Sequence, residues 1–280
     1  MIILIESGAT KSDWRIVDGA GNTVRSVLWP GMNVSTMRME EIARIIRQTF
    51  ETESFGAADG LYLYTAGVVT PQIREELTKI FRDASGIADI DVQDDLVGAA
   101  RAVCGREPGI AAIMGTGSNA CFWDGVSVSR KVYSGGFILG DEGGAATLGK
   151  LFVADYIKGL VPSEIASEFE QQFDASYASL VENIYRGAAP SGYLGSIAPF
   201  VTAHIGNPYM RELVEGNFRA FARRLLAPYD TTRYEVGIVG GFAWATRDIL
   251  LPILEEEGVR VRTIMKAPVE GLCKYHCEAL

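Results

Sequence analysis

The sequence predicts an α/β protein of two domains, each a mixed sheet flanked by helices, with a cleft between them. Three observations predict it. The 280 residues exceed what one compact core usually holds, so two domains of roughly 100–200 residues each are expected. Two stretches, residues 3–29 and 111–132, share one plan of three strands separated by glycine turns. Each block is followed by alternating strands and helices, the order that places helices outside a sheet.

The elements follow in order. Residues 3–29 (ILIESGATKSDWRIVDGAGNTVRSVLW) alternate β-branched and aromatic residues with Gly turns. In residues 37–54 the apolar positions Ile42, Ile45, Ile46 and Phe50 have the spacing of a helix with one buried face. GLYLYTA (60–66) reads as a buried strand, a helix opens at Pro71, IADIDVQ (87–93) is a strand, and residues 94–103 form a helix with Asp94 and Asp95 at its start. GREPG (105–109) reads as a linker, which puts the domains at 1–108 and 109–280. After the second three-strand block, a glycine-rich turn (134–146) leads into a helical insert of about 150–227, with breaks expected at Pro162, Pro190 and Pro208. A strand (235–239), one helix (242–256), a strand (259–264) and a last helix close the chain, that last helix being a candidate to pack back on the first domain.

Composition narrows the function. Hydrophobic residues make up 48% and charged ones 22%, without a low-complexity tract, so the chain is globular throughout. A net charge of −9 with no basic run argues against a nucleic-acid surface, which needs clustered Lys and Arg. The first apolar segment, residues 2–5, ends at Glu6, far short of a secretory core or of the ~20 residues that span a bilayer, so a soluble cytoplasmic protein without membrane association is expected. Cys104, Cys121, Cys273 and Cys277 are scattered, and disulfides are not expected in a reducing compartment. The CKYHC run at 273–277 is read as two small residues on successive helical turns, since no second ligand pair accompanies it as a metal site would require.

The turns carry the chemistry. In ESGATKS, Gly8 permits close backbone approach, Thr10 and Ser12 offer hydroxyls, Lys11 is a mobile cation, and Glu6 ends the strand. GTGSN at 115–119 is its counterpart in the second block. Backbone N–H groups in such turns can face an anion, so two of them suggest two halves meeting one nucleotide. VGGFAW, starting at Val239, follows a strand and opens a helix, where a flat base or ribose could lie against bare backbone. Neither GxGxxG nor a Walker-type GxxxxGK[ST] occurs, which disfavours Rossmann and P-loop chemistry. Asp94 and Asp95 stand at a strand-to-helix junction, where one can cap the helix and the other can accept a proton. His204, without a carboxylate or Cys partner in sequence, reads as structural, and Trp14, Trp29, Trp123 and Trp244 read as core.

Taken in order, ESGATKS, GMN (31–33), DDLVGA (94–99), GTGSN, GDEGG around Asp141 and VGG (239–241) resemble the N-acetylglucosamine kinase and BadF/BadG-type ATPase family, within the superfold of sugar kinases, actin and chaperone ATPases. The resemblance spans nearly the whole chain. It implies two actin-like, ribonuclease H-like domains around a nucleotide cleft, ATP and Mg²⁺ as cofactors, a homodimer, and phosphorylation of an amino sugar, N-acetylglucosamine to its 6-phosphate first among them. It also implies residue roles. Gly8, Ala9, Thr10, Lys11 and Ser12 wrap the β- and γ-phosphates; Gly115, Thr116, Gly117 and Ser118 form the second phosphate turn; Gly240 and Gly241 receive the adenosine. Glu6 stands near Mg²⁺ through water, where most of the superfold carries Asp. Asp95, in a D-x-x-G pattern, accepts the proton of the sugar hydroxyl, with Asp94 as the alternative. Asn33, Asn119 and Asp141 hold the sugar, Glu142 either shares that task or caps the following helix, and Gly67 lies in the loop expected to face Asp95. Phe137 stands where the family often has Trp, and two residues are missing just after it, so the exact sugar is left open. Another hexosamine kinase is one alternative. A second is an ATPase that activates a partner reductase or dehydratase through a bridging iron–sulfur cluster, although Cys104 and Cys121 lack the loop context for cluster binding.

Overall fold

The computed structural model describes residues 1–8 and 11–277. Ala9 and Thr10, in the first of the two turns expected to hold phosphate, lie outside the described residues. The described residues contain two five-stranded sheets with helices and form two compact units. Unit 1 comprises residues 1–107, 124–128 and the chain from Ala267 on; unit 2 comprises residues 108–123 and 129–266.

Unit 1 is built around β1 (Ile2–Ser7), whose run of Ile2, Ile3, Leu4 and Ile5 is buried on both faces, as a central strand requires. It pairs antiparallel with β2 (Lys11–Val17), which pairs with the exposed edge strand β3 (Thr23–Pro30). On its other side β1 runs parallel to β4 (Gly60–Thr65), and β4 to β5 (Asp89–Asp94). Helix α1 (Met39–Thr52) buries Ile42, Ile45, Ile46 and Thr49, one stripe at 3.6-residue spacing. Helix α2 (Pro71–Ser85) starts on the Thr70 hydroxyl, which accepts from the Ile73 N–H, and stops at left-handed Gly86. Together they cover the face bearing Ile3, Ile5, Leu61, Leu63 and Val92, with Trp14, Phe55 and Phe81 in the core. Helix α3 (Asp95–Cys104) lies on the opposite face. Helix α12 (Val269–Cys277) packs against α3, where a Cβ at Gly271 would stand 2.5 Å from the Ala102 carbonyl oxygen.

Unit 2 repeats the topology. Its order β10-β9-β6-β7-β8 is the mirror listing of β3-β2-β1-β4-β5 with the hairpin at the other end. β6 (Gly109–Met114) pairs antiparallel with β7 (Ser118–Trp123) and parallel with β9 (Val236–Val239), and β9 runs parallel to β10 (Val261–Met265). β8 (Val128–Val132) is the edge. Between β8 and β9 lie α4 (Gly136–Leu139), α5 (Ala145–Tyr156), α6 (Ser163–Gln172), α7 (Tyr177–Val181), α8 (Pro190–Ala203) and α9 (Pro208–Ala220), around Phe152, Phe169, Phe200, Phe218 and Phe221. The three expected proline breaks are helix starts: Pro162 precedes α6, and Pro190 and Pro208 open α8 and α9. The expected single helix 242–256 is two, α10 (Gly241–Ala245) and α11 (Arg247–Glu256), parted at Thr246, where φ −109° and ψ 11° leave helical geometry. Trp244 on α10 is not core. It is 40% exposed, with the Arg247 guanidinium 4.6 Å from its ring centroid. Among the described residues no helix is long and apolar enough to cross a membrane.

Candidate functional site

In unit 1 the carboxyl ends of the parallel strands carry the candidate residues, the usual place for ligands on open α/β sheets. The register sets Ser7 beside Thr65, and Thr65 beside Asp94. One residue earlier, Glu6 pairs with Asp13 on β2 and Tyr64 on β4. Alternation then puts Ser7, Thr65 and Asp94 on the face covered by α1 and α2, and Glu6, Asp13 and Tyr64 on the face of α3 and α12.

The two aspartates divide their work. Asp94 is the N-cap of α3, its Oδ1 accepting the Leu96 N–H at 3.2 Å. Asp95 is the first residue of the helix and half-buried. The glycine three residues on has a packing reason: a Cβ at Gly98 would stand 2.8 Å from Tyr64 Cδ1 and 2.9 Å from Cγ. Only a glycine lets α3 lie this close to β4, and that contact sets where Asp95 stands.

Glu6 is largely buried, and burial, reinforced by the neighbouring Asp13 and opposed by Lys11, pushes its carboxyl up from 4.5 to about 7. The carboxyl is therefore partly protonated near neutrality, and a cation beside it would favour the carboxylate. The turn after it is closed by the Gly8 N–H donating to the Lys11 carbonyl at 3.0 Å, with the Lys11 side chain exposed. Ser12 differs from expectation: its buried hydroxyl donates to the Pro30 carbonyl at 2.9 Å and accepts from Trp14 Nε1 at 2.8 Å. That hydroxyl is committed within the sheet and not offered to a phosphate.

The loop carrying Asn33 docks on the strand ends. Asn33 Oδ1 accepts from the Ser35 N–H at 2.8 Å, and the Val34 N–H donates to the Ala66 carbonyl at 3.2 Å. Gly67 has φ +92°, and a Cβ there would stand 2.6 Å from the Ser35 nitrogen. Gly67 and Asn33 are therefore brought together through Ser35. Ser7 and Thr65, which bond the backbone of Met32, went unread in the sequence; the available signal was a hydroxyl ending each of two strands otherwise buried on that face.

In unit 2 the turn Gly115–Ser118 and the acid Asp141 form one piece. The Gly115 N–H donates to the Gly117 carbonyl, and the carbonyls of Gly115 and Thr116 accept the Ala145 and Ala146 N–H groups at the start of α5. Gly117 makes room for Asp141: a Cβ there would overlap Oδ2 and lie 2.9 Å from Cγ. Asp141 is the one described non-glycine residue with positive φ, 54°, and is held there by its N–H on the Ser134 carbonyl and by Thr147 Oγ1 and the Gly144 N–H on its own carbonyl. Burial pushes its carboxyl up, against hydrogen bonds from the Ser118 N–H and the Ser134 side chain. Glu142 neither caps α5, whose N-cap is Gly144 without a side-chain bond, nor points unpaired to a ligand; its Oε1 meets Arg224 Nε at 2.7 Å. Asn119 is half-buried with Oδ1 on the Ala120 N–H, and alternation along β7 sends its side chain to the face opposite that of Ser118. Gly240, with φ +148°, packs so tightly on Met114 that a Cβ would overlap its carbonyl oxygen, whereas Cβ positions at Gly115 and Gly241 meet nothing within 4 Å. These two stretches of bare backbone are open to a ligand.

Other expected features have structural employment. His204 does have a carboxylate partner, distant in sequence: Nε2 lies 2.8 Å from Glu168 Oε2. His276 of the CKYHC run is 2.7 Å from the Tyr64 hydroxyl, and Cys273 is buried. An open depression of about 500 Å³, bordered by Phe55, Asp59 and Gly86, lies at the amino ends of β1 and β4, away from these groups. Its volume does not mark the chemistry.

The chain superposes on the "putative N-acetylglucosamine kinase" of Porphyromonas gingivalis with a TM-score of 0.89 at 31% identity, covering 99% of both chains. On the protein of the same description from Chromobacterium violaceum the TM-score is 0.77 at 20% identity, covering 98% of both. A ROK family glucokinase from Streptomyces griseus, in complex with glucose and AMPPNP, gives 0.60 at 15% identity over 98% of this chain and 97% of that one. The last two likenesses speak for the fold alone. No family model and no curated protein matches the chain.

Proposed function

Because the chain belongs to the N-acetylglucosamine kinase and BadF/BadG-type ATPase family, with its actin-like sugar-kinase fold, we propose that it transfers the γ-phosphoryl group of ATP to a hydroxyl of an amino sugar, N-acetylglucosamine to its 6-phosphate first among them. The observation that carries this reading is the start of α3. Asp94 is spent as its cap, and Gly98 on Tyr64 sets the place of Asp95 at the ends of β1, β4 and β5. Phosphoryl transfer asks a protein for positioning, charge neutralisation and an acceptor for the hydroxyl proton.

Each unit is assigned its part. In unit 1 Asp95 accepts the proton, Asn33 offers Nδ2 to a sugar oxygen, and the backbone at Gly8 with the Lys11 ammonium holds phosphate oxygens. In unit 2 Asp141, seated on Gly117, accepts sugar hydroxyls, with Asn119 as a second polar contact. Gly115 to Ser118 hold phosphate, and Gly240 and Gly241 receive the adenosine. The residues fit these groups: Gly115 and Gly241 face open space, and the buried Glu6 would be relieved by a nearby divalent cation, directly or through its water. Mg²⁺, when bound, neutralises the charge that spreads over the transferred group.

The test is ADP release over N-acetylglucosamine, glucosamine, N-acetylmuramic acid, N-acetylmannosamine and glucose, with Asp95→Asn as control. Asp95→Asn should lower kcat by about 10²-fold or more with the circular dichroism spectrum unchanged. Normal turnover in that variant would sink the assignment of Asp95, and sugar-independent ADP release would favour an activator ATPase.

A further inference from the structure

Two hydroxyls stand in unit 1 where the strand pattern calls for apolar residues. On β1 the core face reads Ile3, Ile5, Ser7; on β4 it reads Leu61, Leu63, Thr65. Ser7 is 1% exposed and Thr65 fully buried, so each must find a partner. Both find the same residue. The Met32 N–H donates to Ser7 Oγ at 2.8 Å, and Thr65 Oγ1 donates to the Met32 carbonyl at 2.6 Å. The Met32 side chain is itself 1% exposed in the core. One peptide residue of a loop is thus gripped at its donor, its acceptor and its side chain.

The residue that follows is Asn33. Its carbonyl accepts the Met37 N–H at 2.9 Å, and the Val34 N–H is tied to Ala66. Because the Ser35 N–H is a donor, the atom facing it must be Oδ1, which turns the Asn33 amide so that Nδ2 is directed elsewhere. Nδ2 has no hydrogen-bond partner among the described residues. The loop therefore presents a fixed donor, suited to an oxygen acceptor on a ligand.

Resting on the sugar-kinase reading above, we infer that Ser7 and Thr65 are positioning residues, a buried hydroxyl bracket that holds the Met32 peptide and thereby sets the Asn33 amide against an oxygen of the acceptor sugar. Neither hydroxyl touches the sugar. Their removal leaves a buried N–H or C=O of Met32 unpaired, so the loop shifts to satisfy it and the donor moves. Asp95 and the Gly8 turn are held by other contacts, so loss of the Thr65 hydroxyl should appear in sugar binding and not in the chemical step.

The test compares Thr65→Val, Thr65→Ser, Ser7→Ala, Asn33→Ala and the Thr65→Val/Asn33→Ala pair, in the full chain, with N-acetylglucosamine as probe. Thr65→Val should raise the sugar KM about tenfold, the range for removing a group that orients a ligand-binding residue, with kcat and the ATP KM within about twofold. Thr65→Ser, which keeps the hydroxyl, should restore the sugar KM. Adding Thr65→Val to Asn33→Ala should raise KM no further, because the bracket acts through that amide. Should Thr65→Val not fold, Ser7→Ala carries the same comparison from the other side of the peptide. If Asn33→Ala raises the sugar KM while both bracket variants leave it unchanged, or if Thr65→Ser behaves like Thr65→Val, the bracket is refuted and the sugar-kinase reading stands. If Asn33→Ala itself leaves the sugar KM unchanged while turnover is normal, the sugar role of Asn33 fails and the bracket with it.

Discussion

His276, on α12, sets a pH dependence that can be worked from its surroundings. Its Nε2 lies 2.7 Å from the Tyr64 hydroxyl, and Arg101 Nη1 donates to that same oxygen at 2.7 Å. A neutral imidazole whose Nε2 accepts the Tyr64 proton satisfies the phenol, which takes the Arg101 N–H on its own oxygen. The ring also stacks on Tyr62, 3.9 Å between centroids. Burial, with Arg101 and Arg106 adding repulsion and Asp91 opposing them, pushes the imidazole down from 6.5 to about 4. In the unfolded chain the ring gains a proton below pH 6.5; in the folded one it does so only near 4. Between those values the unfolded state holds more protons, so stability is full above pH 6.5 and is lost as pH falls toward 4. At about 1.4 kcal/mol per pH unit the whole effect is about 3 to 4 kcal/mol, most of which is gone at pH 4.5. His276→Gln keeps an acceptor for Tyr64 but cannot titrate. Urea unfolding of both proteins at pH 7 and pH 4.5 cancels every other titrating group in the difference. The wild-type advantage over His276→Gln should shrink by about 2 to 3 kcal/mol on going to pH 4.5. A difference that does not change with pH would refute the neutral, buried imidazole.

Two further outcomes rest on glycines that make room for a neighbour. Gly98→Ala would place Cβ 2.8 Å from a Tyr64 ring that is 1% exposed and pinned by His276 and Arg101, so overpacking of about 1–3 kcal/mol should outweigh the roughly 1 kcal/mol that Ala gains in a helix, and kcat should fall more than the sugar KM rises because Asp95 is displaced; chemical denaturation and steady-state kinetics check both. Gly117→Ala overlaps the Asp141 carboxylate, so the sugar KM should rise about tenfold or more while the circular dichroism spectrum is unchanged, and an unaltered KM measured for N-acetylglucosamine would remove Asp141 from the sugar site.

Much of this was legible in the chain. The buried run Ile2–Ile5 and the alternating three-strand blocks give the central strands and hairpins of both sheets directly, because strand periodicity is a local property. The stripe Ile42, Ile45, Ile46 gives α1 for the same reason, and Pro162, Pro190 and Pro208, read as breaks, stand at helix starts because the first turn has no use for the N–H that proline lacks. What escaped is pairing at a distance. The backbone leaves helical geometry at Thr246 and parts α10 from α11, and Trp244 is exposed because its side of α10 meets solvent and Arg247. His204 and Glu168, 36 residues apart, meet only because α6 and α8 lie side by side.

The sequence by itself determined the duplicated α/β architecture and the places where strands end in glycine turns and acids, since these follow from side-chain period and backbone freedom within a few residues. Tertiary structure decided what each polar group does there. It spent Asp94 on a cap, turned the Ser12 hydroxyl into the sheet, paired Glu142 with Arg224, seated Asp141 on Gly117, and bound Ser7 and Thr65 to the two ends of one peptide residue. The reason is physical: a hydroxyl or carboxylate has several possible partners of similar strength, and only burial, which makes an unpaired one costly, selects among them once the strands and helices have come together.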